Sequence, residues 1–234
     1  MSSNSIVCGD SLAIVPTLPH ARMIFADPPD NLGMEYAGYA DKRADYEEWL
    51  FSIGMLGAEY SDVFWFSYFH RYQPIVFHVV SVVGSRREWH QFIWRFTFGQ
   101  HRNTDCGNGY RPLLRVAKPG VQWNTDSIRV QSARQRLGDR RANPEGRVPD
   151  DVWEFPRVVG NAHERRAWIS NQHPEALIER MILMSTNPGD LVIDLFAGSG
   201  TVHRVCKRLG RDSISIDISE DYCKRIEEGE NENA

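Results

Sequence analysis

The segment Leu191-Val192-Ile193-Asp194-Leu195, running into Phe196-Ala197-Gly198-Ser199-Gly200-Thr201, constrains this chain more than any other. An apolar run of strand length meets a two-glycine turn, and a helix-like stretch, Thr201–Leu209, follows at once. Gly198 and Gly200 let the backbone turn sharply and let a ligand approach with no Cβ in the way. The next strand-like run, Ser213–Asp217, ends on an acid, where a carboxylate can bind the two hydroxyls of a ribose. Many α/β proteins have one such loop, so the following acid carries the specificity. An open sheet with a nucleotide pocket is the architecture these residues describe.

The surrounding pattern agrees. Ile6–Cys8, Arg22–Asp27 and Asp62–Tyr68 read as strands; Ser11 to about Leu18, Tyr46–Glu59, Glu175–Ser185 and Glu220–Glu228 read as helices. Tyr72–Val83 and Arg87–Phe98 fit either element. Pro174 suits the start of its helix and Asn187-Pro188-Gly189 stops it. The alternation predicts an α/β fold, a mostly parallel sheet covered by helices on both faces. From Gly99 to Asp151 the periodicity dissolves into Gly, Pro, Asn and Arg, too long for an ordinary connector. The expected division is therefore residues 1–98, an insertion at 99–151, and 152–234, the two outer parts completing one domain.

Charge singles out the same insertion. The net charge is −4, yet Arg86–Arg147 holds 13 Arg and Lys against 5 Asp and Glu, leaving 14 and 26 elsewhere. Such asymmetry is the footprint of a segment that faces a polyanion. The four cysteines lack Cys-x-x-Cys spacing, which argues against structural zinc and for free thiols in a reducing cytoplasm; no metal is expected. Met1–Ser5 lacks the basic and apolar regions of a signal peptide, and no apolar run reaches the length of a membrane span.

A second motif, Asp27-Pro28-Pro29-Asp30, closes the apolar run Met23-Ile24-Phe25-Ala26. It sets a carboxylate at a strand end, and its two prolines fix the backbone and remove two N–H donors. Carbonyls without local partners there can accept hydrogen bonds from an incoming amine.

Together the two motifs resemble those of the amino-methyltransferases of DNA, in the β class, where the catalytic motif precedes the S-adenosylmethionine motif. The resemblance implies a Rossmann-like S-adenosylmethionine-dependent methyltransferase fold with permuted motif order, double-stranded DNA as partner, and a bacterial or phage-infected cytoplasm. A homodimer is among the expected assemblies. It gives Asp217 the ribose, and Asp194 with the loop Phe196, Ala197, Gly198, Ser199 and Gly200 the methionine part. Asp10, in Cys8-Gly9-Asp10-Ser11-Leu12, would contact the adenine ring; read alone, Asp10 is a helix cap for Ser11 onward. His173-Pro174 stands where the family usually has Lys-Pro, so a partly protonated imidazole replaces a lysine able to pair with the cofactor carboxylate.

In the family mechanism the carboxylate and a proline carbonyl accept the two N–H bonds of a base amine, which is positioned in line with the sulfonium methyl. The base must first rotate out of the duplex. Asp27 at the first position favours adenine-N6, with cytosine-N4 the alternative. Asp30 departs from the pattern, since the family has Tyr, Phe or Trp there to hold the base. Three explanations stand: another aromatic (Tyr36, Tyr39, Trp65 or Phe66) substitutes, hydrogen bonds hold the base, or catalysis is lost and a DNA-binding relative remains. Retained activity is the reading preferred here. By position the basic insertion matches the family's target-recognition region. It offers Arg102, Arg111, Arg115, Arg129, Arg134, Arg136, Arg140, Arg141 and Arg147 for phosphate or guanine contacts. A nicotinamide dehydrogenase lacks a reason for Asp-Pro-Pro, and Gly-x-Gly-x-x-Gly is absent. Methylation of RNA or protein amides fits the motif order less well.

Overall fold

The computed structural model describes residues 4–37, 39–96 and 103–231. In chain order the elements are β1 (Asn4–Cys8), α1 (Ser11–Ile14), β2 (Ala21–Ala26), β3 (Glu35–Tyr36), β4 (Tyr39–Ala40), α2 (Tyr46–Tyr60) and β5 (Ser61–Ser67). There follow α3 (Gln73–Val83), β6 (Glu88–Arg95), β7 (Tyr110–Ala117), α4 (Ala133–Arg136) and β8 (Val152–Glu154). The chain ends with α5 (Glu175–Ser185), β9 (Leu191–Asp194), α6 (Thr201–Leu209), β10 (Asp212–Asp217) and α7 (Glu220–Asn231).

Eight strands form one sheet in the order β1-β10-β9-β2-β5-β7-β6-β8. The first five run parallel, and β7 is antiparallel to both its neighbours. A parallel sheet needs cover on both faces, and alternation along each strand divides the side chains accordingly. Ile24, Ala26, Phe64 and Phe66 pack on one face beneath Leu50 and Ile53 of α2 and Val76 of α3. Met23, Phe25, Val63 and Trp65 pack on the other beneath Leu177, Met181 and Ile182 of α5 and Val205 of α6. The mostly parallel, doubly covered sheet expected from the sequence is present.

Two stretches that the sequence leaves open take definite form, and a third differs from the sequence reading. Tyr72–Val83 resolves as a helix from Gln73, and the other ambiguous stretch becomes strand β6. Residues 99–151, read as lacking regular structure, contain β7, which pairs with both β5 and β6 inside the sheet. Its alternation is masked because Arg115 faces the core among aromatic rings: its guanidinium carbon lies 3.7 Å from the Trp123 ring centre and 5.1 Å from that of Phe92. A strand buried on both faces, with an arginine on one, carries no clean period of two.

Candidate active site and cofactor pocket

A cavity of about 510 Å³ opens over the carboxyl ends of the parallel strands. It lies where β9 and β2 are neighbours and the chain leaves in opposite directions, to β10 on one side and β5 on the other. Such a reversal point is where open α/β sheets bind ligands. The register sets Phe25 opposite Asp194, so the two motifs read from the sequence meet across one strand boundary.

On the β9–β10 side, Asp217 Oδ2 accepts from the Gly198 amide at 2.8 Å, and its Oδ1 accepts from the Ser219 amide at 2.9 Å. The acid thus fixes the loop while lining the cavity. Gly198 and Gly200 have φ of 48° and 73°, the left-handed region that glycine favours. A Cβ on Gly200 would come within 2.9 Å of Ile226. Helix α6 begins after Gly200 with no side-chain cap, leaving amide donors free to meet an anionic group. Asp194 is 2% exposed and accepts from the Phe196 amide at 3.1 Å. Burial, with the Asp217 and Asp27 charges adding to it, pushes its carboxyl up to about 8. Asp10 caps α1 through the Leu12 amide at 2.9 Å and also faces the cavity, so both roles read for it are compatible.

On the β2 side, Asp27 sits in a closed circuit. Its Oδ1 accepts from Arg111 Nη2 at 2.7 Å, and its Oδ2 lies 3.2 Å from His173 Nδ1. His173 Nε2 is 3.3 Å from Ser67 Oγ, which accepts from Arg111 Nε at 2.7 Å. With the His173 proton on Nδ1, every bond in this ring is satisfied. Asp30 grips the same guanidinium with both oxygens, each at 2.9 Å. Burial works to raise the Asp27 pKa, but the Arg111 guanidinium, by charge and by hydrogen bond, together with His173, outweighs it and holds it below the usual carboxylate range. Burial, with the Arg111 charge adding to it, pushes the His173 pKa below the usual imidazole value, against the opposing Asp27 and Asp30 charges. Burial opposes the Arg111 charge as well, yet the two carboxylates overcome it and hold the guanidinium protonated.

The loop after Asp30 is pinned by buried Asp41, which accepts from the amides of Asn31, Leu32 and Met34. Tyr46 donates its hydroxyl to the Pro29 carbonyl. The Pro28 carbonyl, by contrast, has no hydrogen-bond partner among the described residues.

The structure therefore brings Asp10, Asp27, Pro28, Pro29, Asp30, His173, Asp194, Phe196, Ala197, Gly198, Ser199 and Asp217 to one cavity. Gly200 and Pro174 support it from just outside, Pro174 preceding the first residue of α5. His173 contacts Asp27 rather than facing the glycine loop alone. Of the aromatic stand-ins for position 30, Tyr36 and Tyr39 line the cavity, whereas Trp65 and Phe66 are core residues. Arg111 and Arg115 were read as DNA contacts; Arg111 is instead bound to Asp27 and Asp30, and Arg115 lies in the ring cluster. Burial pushes the Arg115 pKa down to about 10. Arg129 is tied to Asp126 and to the Gly146 carbonyl, and Arg141 to Asp139. Arg134 and Arg136 of α4 are exposed. Arg102 lies outside the described residues. No cavity-lining residue falls between Pro112 and Arg157.

Several lining residues were not anticipated: Trp49, which meets Phe196 edge-on at 5.6 Å, Trp94, Phe96, Arg157 and Tyr222. Trp94 is the next-to-last residue of a strand bound for the cavity rim, the one signal that could have marked it.

Among the described residues no helix is long and apolar enough to cross a membrane, and no group of three His, Cys, Asp or Glu could hold a metal ion. The chain matches the DNA methylase family over residues 21–228. The DNA adenine methyltransferase YhdJ of Escherichia coli (strain K12) is 31% identical over 245 residues, covering 95% of this chain and 81% of that protein. The solved PvuII DNA methyltransferase (cytosine-N4-specific) superposes with a TM-score of 0.70 at 17% identity, over 95% of this chain and 84% of that one. The M1.HpyAVI–SAM complex superposes at 0.64 and 18% identity, over 97% and 99%. With its Asp-Pro-Pro turn and glycine loop facing one cavity at the sheet reversal, the chain belongs to the amino-DNA methyltransferase family.

Proposed function

We propose that this chain transfers a methyl group from S-adenosylmethionine to the N6 amine of adenine in double-stranded DNA. The carrying observation is that Asp27 and the unpartnered Pro28 carbonyl share one cavity with the Asp194–Thr201 loop and Asp217. The residues suit the cofactor. Buried Asp194 has one hydrogen bond and a raised pKa, a site that improves when a cationic group arrives. The uncapped start of α6 suits a carboxylate, and Asp217 keeps lone pairs for ribose hydroxyls. When bound, S-adenosylmethionine supplies an electrophilic methyl on a positively charged sulfur.

The chain's own residues position the acceptor. A base amine is a poor nucleophile because its lone pair is delocalised into the ring. Hydrogen bonds to the Asp27 carboxylate and the Pro28 carbonyl favour a pyramidal nitrogen whose lone pair points at the methyl. Asp27, kept ionised, is a fixed negative charge beside a nitrogen that becomes positive as the bond forms. Orientation supplies the remainder, and the base reaches the cavity only by leaving the duplex. Adenine is favoured by Asp at the first motif position and by similarity to a relative that carries adenine methyltransferase in its name.

The test is modified-base sequencing of host DNA with and without expression of this chain, beside Asp27→Ala. N6-methyladenine in a fixed sequence context, lost in the variant, is the expected result. N4-methylcytosine would replace the adenine assignment, and no modification would remove the activity.

A further inference from the structure

Asp30 replaces the aromatic residue expected at its position, and among the described residues its side chain bonds to the guanidinium of Arg111, gripped by both carboxylate oxygens. Arg111 comes from β7, whose antiparallel run beside β5 carries its first residues to the carboxyl ends of the parallel strands. Its Nε is used by Ser67 and its Nη2 by Asp27 and Asp30, so the fork is fixed in rotation and in plane. A buried ion pair contributes little net stability after desolvation. What this arrangement supplies is direction, since it determines which way the Asp27 carboxylate points.

We propose that Arg111 is the positioning residue for Asp27, held square by Asp30 and Ser67, and that Asp30 serves the reaction through Arg111 rather than by touching the base. This rests on the reading of Asp27 as acceptor of the target amine. Arg111 and His173 engage one oxygen each of Asp27, which lines the cavity. Asp30 balances the second half of the guanidinium, which keeps Arg111 from swinging wholly onto Asp27. The titratable groups facing Asp27 are Arg111 of β7, His173 before α5, Asp30 of its own loop, Asp194 of β9 and Tyr36 of β3. Only Arg111 is a permanent cation.

The experiment compares Asp30→Asn, Arg111→Gln, Arg111→Lys and the double variant D30N/R111Q in the full chain. Single-turnover transfer from labelled S-adenosylmethionine to PCR-amplified, hence unmethylated, bacterial genomic DNA is followed against pH, with calorimetric cofactor affinity alongside. R111Q is expected to lose about 100-fold in rate, the scale of a misplaced reacting group, with cofactor affinity retained. Its acid limb is expected to move up by about 1–3 pH units, the effect of a lost neighbouring arginine. R111K keeps the limb near its wild-type position but stays slow, because a point charge replaces a fork. D30N slows transfer by a smaller factor and adds nothing to R111Q.

Losses that multiply in the double variant, an R111Q rate like wild type, or a slow R111Q with an unmoved limb would each overturn the proposal. A ¹³C titration of the Asp27 carboxyl, identified by its disappearance in Asp27→Asn, reads the same coupling without turnover. Wild type that transfers no methyl defeats the functional reading alone. The carboxyl titration then decides on Arg111: an upward shift in R111Q supports the positioning role and an unmoved titration ends it.

Discussion

Replacing Asp194 by asparagine should change how the stability of this protein responds to pH. The side chain is 2% exposed, and its carboxyl is pushed up to about 8 from an ordinary value of 3.8. Between those values the folded chain keeps a proton that the unfolded chain releases. Stability from this group is therefore full below pH 3.8, falls through the window between the two values, and is lost once pH passes about 8. Inside the window the slope is one proton, about 1.4 kcal/mol per pH unit. Asparagine keeps an oxygen to accept from the Phe196 amide and cannot titrate.

From pH 5 to pH 7 wild type should lose about 2.7 kcal/mol relative to Asp194→Asn. For a chain of this length that is a relative fall in Tm of about 5–11 °C. Thermal melts of both proteins across pH 5 to 9 measure it, and titrating groups distant from Asp194 cancel in the difference. Melting curves that run parallel throughout would refute the reasoning. The same proton gives a second readout. A cationic ligand beside Asp194 lowers its pKa, so wild type should release close to one proton on binding S-adenosylmethionine at pH 7, and the variant none. Calorimetry in buffers of different ionisation enthalpy distinguishes the two.

Asp217→Ala removes the acceptor of two loop amides as well as the proposed ribose contact, and should weaken S-adenosylmethionine by roughly 1.5–3 kcal/mol in calorimetry. Unchanged affinity would take Asp217 out of the site. Gly200→Ala places a Cβ in a left-handed conformation, at roughly 1–2 kcal/mol, and against Ile226 besides. Denaturant unfolding should show at least that loss. Among the basic residues, Arg→Ala at exposed Arg134 or Arg136 should reduce the salt dependence of DNA binding by about one counterion each if they meet phosphate. Arg129→Ala, which breaks the Asp126 and Gly146 contacts, should act first on stability, with a salt slope of DNA binding unchanged from wild type as its sign.

The cofactor half of the site was legible because its chemistry is contiguous. Strand, glycine turn, helix and following acid lie within residues 191–217, and each has its own local signal: an apolar run, glycines at a φ that glycine favours, an amphipathic period. Glu175–Ser185 and Thr201–Leu209 have the bounds the sequence indicates, since each shows one apolar face with clear stops. The middle was not legible for the opposite reason. Strands β6 and β7 are buried among rings on one face and carry arginines, so neither a period of two nor a polar face survives. Asp30 fared worst. Its meaning depends on Arg111, 81 residues away, and no local pattern encodes an antiparallel strand that brings them together.

That pairing also corrects the use of charge along the chain. The 13 basic residues between Arg86 and Arg147 count as a block in sequence, but the fold disperses them. Arg111 is spent on Asp27 and Asp30, and Arg115 on aromatic rings. Arg87 binds the Ser61 carbonyl at the start of β5, the end of the sheet away from the cavity. The stretch leading to α4 is anchored at the far end of α5, where Asn124 bonds to the Met184 and Thr186 carbonyls. An 11-residue helix spans roughly 16 Å, so this anchor stands well back from His173 at the other end of α5. The cavity itself is bordered by Arg43 and Arg157, the only other arginines among the described residues that line it. On the proposed reading, a flipped base entering this cavity would pass Arg43 and Arg157 at its border. Net charge by segment located a basic quarter of the chain, but strand direction determines which of its arginines reaches the cavity.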